Sequence, residues 1–223
     1  LPLAHVYQRV ATYYLWATGG AVAYPDEGVE ADLAAVRPDV LVGAPAVYRG
    51  LYGDLQDRIG SLDWMRRKVA GRVASYGRDA VEHGTTPLKY RAADRLVYGP
   101  LREECGLDAL TYALSGTAPL DDHLLYFLRG FGVPVCEVFG PVECAGVGAL
   151  NGPGSLATGA VGEPMDGTEF ALSDEGELLV CGPNVTPGYL DDERATADVL
   201  REGWYHTGEA GELGADDRVY RTD

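Results

Sequence analysis

The sequence predicts an α/β fold, in which a partial, open and mostly parallel sheet with flanking helices is followed by a small antiparallel, barrel-like β subdomain. Apolar strands alternate with helices in the first part of the chain, and the strands end in loops that contain glycine or proline. This alternation of strands and helices is typical of βαβ units. Later strands are instead separated by Gly, Pro and Asp turns, as in antiparallel hairpins. We therefore expect an α/β subdomain over residues 1–152 and a β-rich subdomain over residues 153–223.

The composition is that of a globular protein with a sizeable core. Of the 223 residues, 46% are hydrophobic and 23% are charged, which is ordinary for such a chain. The formal net charge of −16 disfavours a nucleic-acid partner and electrostatic docking on anionic lipid, because phosphates would be repelled. No apolar run reaches the length of about 18 residues that a transmembrane helix needs.

The cysteines and histidines are typical of a cytoplasmic protein without a zinc site. The four cysteines form no CxxC pair and lie mostly in or beside apolar runs, so we expect reduced thiols. The four histidines show no metal-ligand spacing. The chain starts at Leu1 with neither Met nor the basic start of a signal peptide, so we expect a piece of a longer protein. Nothing in the sequence assigns an oligomeric state.

The first elements are set by apolar runs and by glycine and proline. An apolar and aromatic stretch from Val6 predicts a buried helix that stops at Gly19-Gly20, followed by a short strand at residues 21–24. A short helix at residues 30–36 ends before a proline. Residues 40–43 are continuously apolar, as in a parallel strand covered on both faces.

Three helical stretches follow. Pro45 can begin the first, which has one buried stripe formed by Val47, Leu51, Leu55 and Ile59. A longer helix at residues 62–83 is broken at residues 84–87, and helix resumes over residues 88–104 and closes at Gly106. The longer helix has a basic face that suits either solvent or an anionic partner, formed by Arg66, Arg67, Lys68 and Arg72.

Two further strands, at residues 110–114 and 133–139, each run into a loop of small residues. Asp121 or Asp122 can cap the helix between them, which we expect to end at Gly130. Ligands of open α/β sheets bind beyond the carboxyl ends of the strands. The loops at residues 115–119 and 140–143 are therefore candidate binding loops. In the β-rich part we expect strands at residues 169–172 and 177–181 and a helix near residues 192–200.

Most of the motifs, taken singly, are weak evidence for a function. Ser115 follows a strand, but the GxSxG pattern of a nucleophile elbow is absent and no histidine is placed to serve it. The Gly146-Val147-Gly148 stretch resembles the start of a dinucleotide fingerprint, but Asn151 stands where its third glycine belongs. Glu143 could bind a cation or cap the next helix.

The stretch from Gly203 to Gly211 combines three glycines with two aromatic rings, a histidine and Glu209. Glycines permit close approach to a ligand, so we interpret it as a loop shaped around something polar and flat. A plain glycine-rich turn between two strands is the alternative.

Six segments, in this order, resemble motifs of the AMP-forming acyl and aryl acid ligases, and the likeness is greatest to the long-chain fatty acyl-CoA synthetases. They cover essentially the whole chain. The segments are Leu1–Arg9 (LPLAHxxER), Pro38–Tyr48 (PTxxxxVPRVYE), Ser115-Gly116-Thr117-Ala118-Pro119-Leu120 (SGGAPL), Phe139-Gly140-Pro141-Val142-Glu143 (YGxTE), Gly176–Tyr189 (GELLVRGPNVxxGY) and Gly203–Glu209 (GWxHTGD).

The resemblance implies that a carboxylic acid reacts with ATP to give an acyl-adenylate, which the thiol of CoA then attacks. It implies that Glu143 helps to hold Mg²⁺, that Glu209 binds the ribose hydroxyls and that His5 lies beside the acyl channel. It also implies that the nucleotide is bound by Ser115, Gly116, Thr117, Ala118, Pro119, Phe139, Gly140 and Val142. Of these, Gly116 to Pro119 together with Phe139 and Gly140 would wall the adenine and acyl pocket. Peripheral membrane contact through the parent protein would be compatible with a fatty acid substrate.

This chain departs from the family pattern at several positions. Val142 replaces a threonine whose hydroxyl lies near the phosphates, and Pro141 stiffens the same turn. Thr117 replaces a glycine near the base, and Glu209 is one methylene longer than the family's aspartate. By the resemblance, a phosphate loop belongs upstream of Leu1, while a hinge and a mobile domain with a catalytic lysine belong at and beyond Asp223.

Three hypotheses follow from this pattern. The first is the middle part of a long-chain fatty acid–CoA ligase, inactive by itself. The second is the same part of an acyl-AMP ligase that loads a carrier protein. The third is a degenerate nucleotide- or acyl-binding module without catalysis, motivated by Pro141 and Val142.

Overall fold

The computed structural model describes residues 4–26, 28–84, 88–152 and 156–222. The chain divides into two compact units. The first, which we call the helical unit, comprises residues 15–136, and the second, the β-rich unit, comprises residues 1–14 and 137–223. The subdomain boundary that we predict at residue 152 falls inside the β-rich unit and stays a prediction. No helix in the described ranges is both long and apolar enough to cross a membrane.

The helical unit follows the predicted alternation of helices and strands. The division from the β-rich unit passes through the helix at residues 6–17 and the strand at residues 135–139. The elements are α1 (Val6–Ala17), α2 (Val29–Val36), β1 (Val40–Gly43), α3 (Pro45–Ser61), α4 (Trp64–Ala70), α5 (Val73–His83), α6 (Leu88–Ala93), a π-helical turn (Asp94–Tyr98), α7 (Gly99–Glu104), β2 (Tyr112–Ser115), α8 (Asp122–Phe131) and β3 (Val135–Phe139).

The strands β1 and β2 pair in parallel, as predicted, with Val40 opposite Tyr112 and Gly43 opposite Ser115. Helix α3 begins at Pro45 and turns its predicted stripe inward, with Leu51 and Leu55 almost fully buried. A side chain outside that stripe fixes the helix to the sheet. Tyr48 has no exposed surface, and its hydroxyl donates to the Leu114 carbonyl at 2.8 Å.

Helices α5 and α8 cross at two glycines. A Cβ on Gly77 would lie 1.7 Å from the Tyr126 carbonyl oxygen, and a Cβ on Gly130 would lie 1.8 Å from that of Val73. The prediction that α8 ends at Gly130 is wrong. The helix continues to Phe131, and Gly132 ends it with a φ of 88°. Gly130 is a packing glycine, since only a residue without a side chain allows this crossing.

We therefore expect Gly130→Ala to lower the free energy of unfolding by about 2 kcal/mol, because the new methyl group must displace a backbone carbonyl. Urea unfolding of the purified chain measures this. The matched control is Gly53→Ala in α3, where no atom lies within 4 Å of the added Cβ. That variant should be about 0.5–1 kcal/mol more stable, since alanine favours helix. Equal effects of the two variants would contradict the packing role.

Several predictions for the first residues are wrong. Helix α1 forms but is not buried, since Tyr14 and Trp16 remain 67% and 61% exposed. Residues 21–24 form no strand. The chain is instead tied to the start of α2, where the Asp26 amide donates to the Asp32 carboxylate at 2.8 Å. Apolar composition alone does not distinguish a buried helix from an exposed one, or a strand from an irregular segment.

The predicted helix over residues 62–83 is two helices, α4 and α5, because the chain turns at Gly71 and Arg72. Helix α5 ends at Gly84, with a φ of 61°, and the rest of the predicted break, residues 85–87, lies outside the described residues. Helix over 88–104 is confirmed, with the π-helical turn inside it. Asp121 is the N-cap residue of α8, one of the two positions predicted, but its side chain makes no capping hydrogen bond.

The β-rich unit contains antiparallel strands. Their order is β3-β4-β5-β10-β9-β7-β6, with β8 paired to β9. Among the described residues this is an open path rather than a closed barrel. With the parallel pair β1–β2, the strand pairing in these residues is mixed rather than mostly parallel. Strands β6 and β7 have the predicted bounds. The elements are a 3-10 turn (Val142–Cys144), β4 (Ala149–Asn151), β5 (Ala160–Pro164), β6 (Glu169–Leu172), β7 (Glu177–Cys181), α9 (Glu193–Val199), β8 (Leu200–Arg201), β9 (Trp204–Leu213) and β10 (Val219–Arg221).

Candidate functional site

A tight turn after β3 places Glu143. A Cβ on Gly140 would lie 2.7 Å from backbone atoms of residues 146–148, so this position requires glycine. The Gly148 amide donates to the Phe139 carbonyl at 2.7 Å and closes the turn. Gly146-Val147-Gly148 thus leads into strand β4 rather than a helix, and the dinucleotide fingerprint, which requires a helix there, does not apply.

Glu143 lies within a 3-10 turn that has no side-chain hydrogen bond from its N-cap residue in the described part of the chain. Its carboxylate accepts a hydrogen bond of 2.5 Å from the Tyr189 hydroxyl. Partial burial acts to raise the pKa of Glu143, but hydrogen bonds from Tyr189, from its own backbone amide and from Tyr205 outweigh burial and lower the pKa. Glu143 is therefore held as a carboxylate. The sequence connects neither tyrosine with Glu143, although Tyr189 ends one quoted motif and Tyr205 lies in another.

The side chain of Tyr7 also contacts the turn that contains Gly140. The Tyr7 hydroxyl donates to the Gly140 carbonyl at 3.0 Å. His5 stacks on the Tyr7 ring with centroids 5.2 Å apart, and its Nδ1 accepts the Tyr7 amide. The structure therefore brings His5 and Gly140 close through a residue that the sequence did not single out. The preceding residues of that motif, Leu1 to Leu3, lie outside the described residues.

Apart from Gly203, which lies in a turn, the stretch from Gly203 to Gly211 is not a loop, so the predicted loop is wrong. Residues 204–213 form strand β9 between β7 and β10. The pairing with β7 is irregular between Glu177 and Leu179, and Gly208 has a φ of 74°. Gly208 thus permits a bulge inside strand β9. The sequence alone does not distinguish such a bulge from a loop.

Glu177 braces this bulge. One of its carboxylate oxygens lies 2.8 Å from His206 Nδ1, and the other accepts the Gly208 amide at 2.7 Å. The Thr207 hydroxyl donates to the Leu178 carbonyl at 2.8 Å on the same stretch. These bonds fix the backbone immediately before Glu209.

We expect this bracing to weaken in acid. Partial burial acts to raise the pKa of Glu177, but hydrogen bonds from His206 and the Gly208 amide lower it below its ordinary value of 4.5. A carboxylate with a lowered pKa stabilises the fold above its unfolded-state pKa, and that contribution is lost as the pH falls through the folded-state value. Stability should therefore fall below about pH 4.5.

Urea unfolding of the chain at a series of pH values checks this expectation. Glu177→Gln should flatten the acid limb and leave a smaller slope from Glu143. Glu175→Gln, in the neighbouring exposed turn, is the matched control and should retain the full slope. An unchanged slope in Glu177→Gln would refute the role of Glu177.

The Glu209 carboxylate faces a basic partner. Arg221, on the adjacent strand β10, places Nη1 3.4 Å from Glu209 Oε2. The two side chains are 31% and 44% exposed, so the pair is accessible to solvent and screened by it. Glu209 thus lies on an ordered strand with a carboxylate that a polar ligand can reach.

The segment from Ser115 to Pro119 belongs to the helical unit, whereas Phe139, Gly140, Val142, Glu143, Glu209 and His5 belong to the β-rich unit. Ser115 is 1% exposed, and its Oγ has no hydrogen-bond partner among the described residues. Thr117 has a φ of 80°, a conformation that favours the glycine of the family pattern. Val142 is 70% exposed, so its methyl groups face solvent where the family has a hydroxyl.

The carboxylate oxygens of Glu143 are of the kind that bind a hard cation, although weakly when no other protein ligand is present. Within the described ranges, no three His, Cys, Asp or Glu residues are grouped closely enough to hold a metal ion. One charged, accessible carboxylate nevertheless fits Mg²⁺, which proteins commonly bind through one or two carboxylates together with substrate phosphates and water.

The cysteines are free thiols, as predicted. Burial raises the pKa of the Cys136 thiol to about 11 and that of Cys144 to about 12. Neither is a thiolate at neutral pH, and neither can serve as a ready nucleophile.

Comparison with known proteins gives one family match. The model of the family described as AMP-binding enzyme matches residues 1–190. Long-chain-fatty-acid–CoA ligase FadD15 of Mycobacterium bovis is 33% identical over 97% of this chain, which covers 37% of that protein. Long-chain-fatty-acid–CoA ligase ACSBG2 of Gallus gallus is 30% identical over all of it, which covers 31% of that protein. The chain spans 31% to 40% of the length of such curated relatives.

Solved structures share the fold. O-succinylbenzoate coenzyme A synthetase (MenE) of Bacillus subtilis, in complex with ATP and magnesium ion, is 18% identical, with a TM-score of 0.69 over the whole chain and 40% of that protein. The N-terminal domain of FACL13 from Mycobacterium tuberculosis is 18% identical, with a TM-score of 0.68 over the whole chain and 49% of that domain's chain. At these identities the likeness shows the fold alone.

Proposed function

Since the chain belongs to the AMP-binding enzyme family, we propose that it is the middle part of a ligase that activates a long-chain fatty acid with ATP. The first step forms a bond between a carboxylate oxygen of the acid and the α-phosphorus of ATP, and pyrophosphate leaves. In the second step the thiol of CoA attacks the acyl carbonyl, and AMP leaves. The relatives named as long-chain-fatty-acid–CoA ligases support the choice of acid and acceptor.

The observation that carries the proposal is the state of Glu143. Two tyrosine hydroxyls hold this side chain as a carboxylate at the end of β3. A fixed negative charge is what a Mg²⁺–ATP site needs. The Mg²⁺ ion, when bound with ATP, neutralises the charge that develops on the phosphates. Glu143 would orient that ion, and Tyr189 would keep the carboxylate charged and in place.

The remaining residues have proposed binding roles. Glu209 accepts hydrogen bonds from the ribose hydroxyls, and His5 lies beside the acyl group. The segment Ser115, Gly116, Thr117, Ala118 and Pro119 and the backbone of Phe139 and Gly140 contact the adenine and the acyl group, whereas the Val142 side chain lies near the phosphates. The Ser115 hydroxyl, which has no hydrogen-bond partner in the described part of the chain, supports this role, because buried polar groups ordinarily find a partner.

A second candidate function is a nucleotide- or acyl-binding module without catalysis. It is favoured by Val142, whose exposed methyl groups cannot donate the hydrogen bond of the family's threonine. A ligase that transfers the acyl group to a carrier protein is the alternative within the enzyme class.

ATP–pyrophosphate exchange separates these functions. The assay uses what we call the extended protein, meaning these residues within a chain that also contains the phosphate loop and the C-terminal lysine domain. Exchange that depends on a long-chain fatty acid supports the ligase, and binding of ATP without exchange supports the inactive module. CoA and acyl-carrier protein are then compared as acceptors. We expect the 223-residue chain alone to form no acyl-AMP, because transition-state charge stabilisation by the lysine is missing.

A further inference from the structure

The segment at residues 182–189, which follows strand β7, is bonded to the turn that carries Glu143. The Asn184 side chain makes two of these bonds. Its Nδ2 lies 3.2 Å from the carbonyl oxygen of Cys144 and 3.1 Å from that of Val147. A single side-chain amide therefore bridges two carbonyls of the turn, and we call this contact the Asn184 bridge.

The two residues between those carbonyls have the left-handed backbone conformation. Ala145 has a φ of 56° and Gly146 a φ of 78°. Glycine adopts such angles without steric cost, but alanine does not. Ala145 is exposed, so packing of its methyl group does not offset that cost. Strained backbone persists only where the surrounding structure holds it, and the Asn184 bridge bonds the chain on both sides of the strained pair.

The amide of Asn184 is itself held in one orientation. The hydroxyl of Thr168, a residue that is only 7% exposed, donates to Asn184 Oδ1 at 3.2 Å. Since the oxygen accepts this bond, the NH₂ group with its two donors faces the turn. The backbone adds a parallel bond, because the Thr186 amide donates to the Glu143 carbonyl at 2.7 Å. An aspartate at position 184 would have the same shape but no hydrogen to donate.

We propose that Asn184 is a positioning residue for Glu143. It fixes the backbone of the strained turn, so that the Glu143 carboxylate is presented to Mg²⁺ in one place. Small displacements of a group that orients a reactant lower the rate strongly, and a site needs a supporting shell that holds its ligands. This assignment rests on the proposed function, in which Glu143 orients the Mg²⁺ of Mg²⁺–ATP.

The Mg²⁺ dependence of ATP–pyrophosphate exchange by the extended protein tests the proposal. Asn184→Asp and Asn184→Ala should each raise the Mg²⁺ concentration that gives half the maximal rate by about 10-fold, because two hydrogen bonds to the turn are lost. The KM for the fatty acid should stay the same. Thr168→Val removes only the bond that orients the amide and should give a shift of about 3-fold, which keeps the test available if the Asn184 variants fold poorly.

A purely structural role is tested by a second bridging asparagine. Asn151 on β4 donates in the same way to the carbonyls of Ala157 and Ala160, at 2.9 and 3.0 Å. Asn151→Ala should therefore lower the unfolding temperature, as Asn184→Ala does, but leave the Mg²⁺ dependence unchanged. Loss of folded protein alone reduces the amount of active enzyme and does not shift that dependence.

Relief of the strain provides a rescue. Ala145→Gly, added to Asn184→Ala, should return the Mg²⁺ dependence to within about 3-fold of that of the unchanged protein, because glycine needs no support at this φ.

Unchanged Mg²⁺ dependence in the Asn184 variants, or an equal shift in Asn151→Ala, would overturn the positioning role. If Glu143→Gln still lowered exchange, the proposed function would stand without it. If Glu143→Gln had no effect either, the proposed role of Glu143 would fail, and the role of Asn184 with it.

Discussion

Glu143→Gln in the extended protein should lower the rate of fatty acid–dependent ATP–pyrophosphate exchange by about 100- to 1000-fold, as loss of one preorganised electrostatic contact does in other enzymes. Glutamine retains the shape of the side chain but not the charge that Tyr189 and Tyr205 hold in place. The rate should recover partly at high Mg²⁺ concentration. That dependence is a readout that a purely structural role would not give.

Two further variants sharpen this test. Tyr189→Phe retains the carboxylate and removes one hydrogen bond, so we expect a smaller loss, about 10-fold. Glu175→Gln removes an exposed turn carboxylate and should leave exchange unchanged. If Glu143→Gln exchanged at the rate of the Glu175→Gln control, Glu143 would have no role in holding Mg²⁺.

The second large effect concerns Glu209. Two hydrogen bonds from ribose hydroxyls to a carboxylate contribute about 1.5–3 kcal/mol each, so Glu209→Ala should weaken ATP binding to the extended protein by about 100-fold or more. Equilibrium titration with ATP measures it. The bulge at Gly208 and its brace, Glu177, should keep the strand in place in this variant.

Two controls separate the carboxylate from its surroundings. Glu209→Asp restores the family's residue and should bind ATP nearly as well as the unchanged protein. Glu212→Ala removes an exposed carboxylate from the same strand, β9, and should have no effect. Full ATP affinity in Glu209→Ala would leave Glu209 as only the ion-pair partner of Arg221.

The elements that the sequence predicted well are those that local chemistry decides. Helix α3 begins at a proline and buries a regular stripe, and strands β6 and β7 are bounded by turn residues. Gly130 was misassigned because a glycine that permits helix packing and a glycine that ends a helix look identical along a chain. Their difference lies in Val73, a residue far away in sequence.

Only part of the site could be predicted from the sequence, because some of its contacts join residues that are far apart along the chain. Glu143 and Glu209 could be singled out, since each sits in a motif with a chemical rationale. Tyr189 and Tyr205 act on Glu143 across 46 and more residues, and no spacing rule connects them. The prediction of a loop around Glu209 is wrong because glycines suit loops and bulges equally. The pairing of β9 with β7 and β10 decided between them.

The most direct test of the nucleotide site is a structure of the extended protein with a bound, non-hydrolysable acyl-adenylate analogue. The decisive measurement is the distance from the Glu209 carboxylate oxygens to the two ribose hydroxyls. We predict that both hydroxyls lie within hydrogen-bond distance, about 2.5–3.0 Å. A ribose bound elsewhere, with Glu209 still paired only with Arg221, would contradict the assignment.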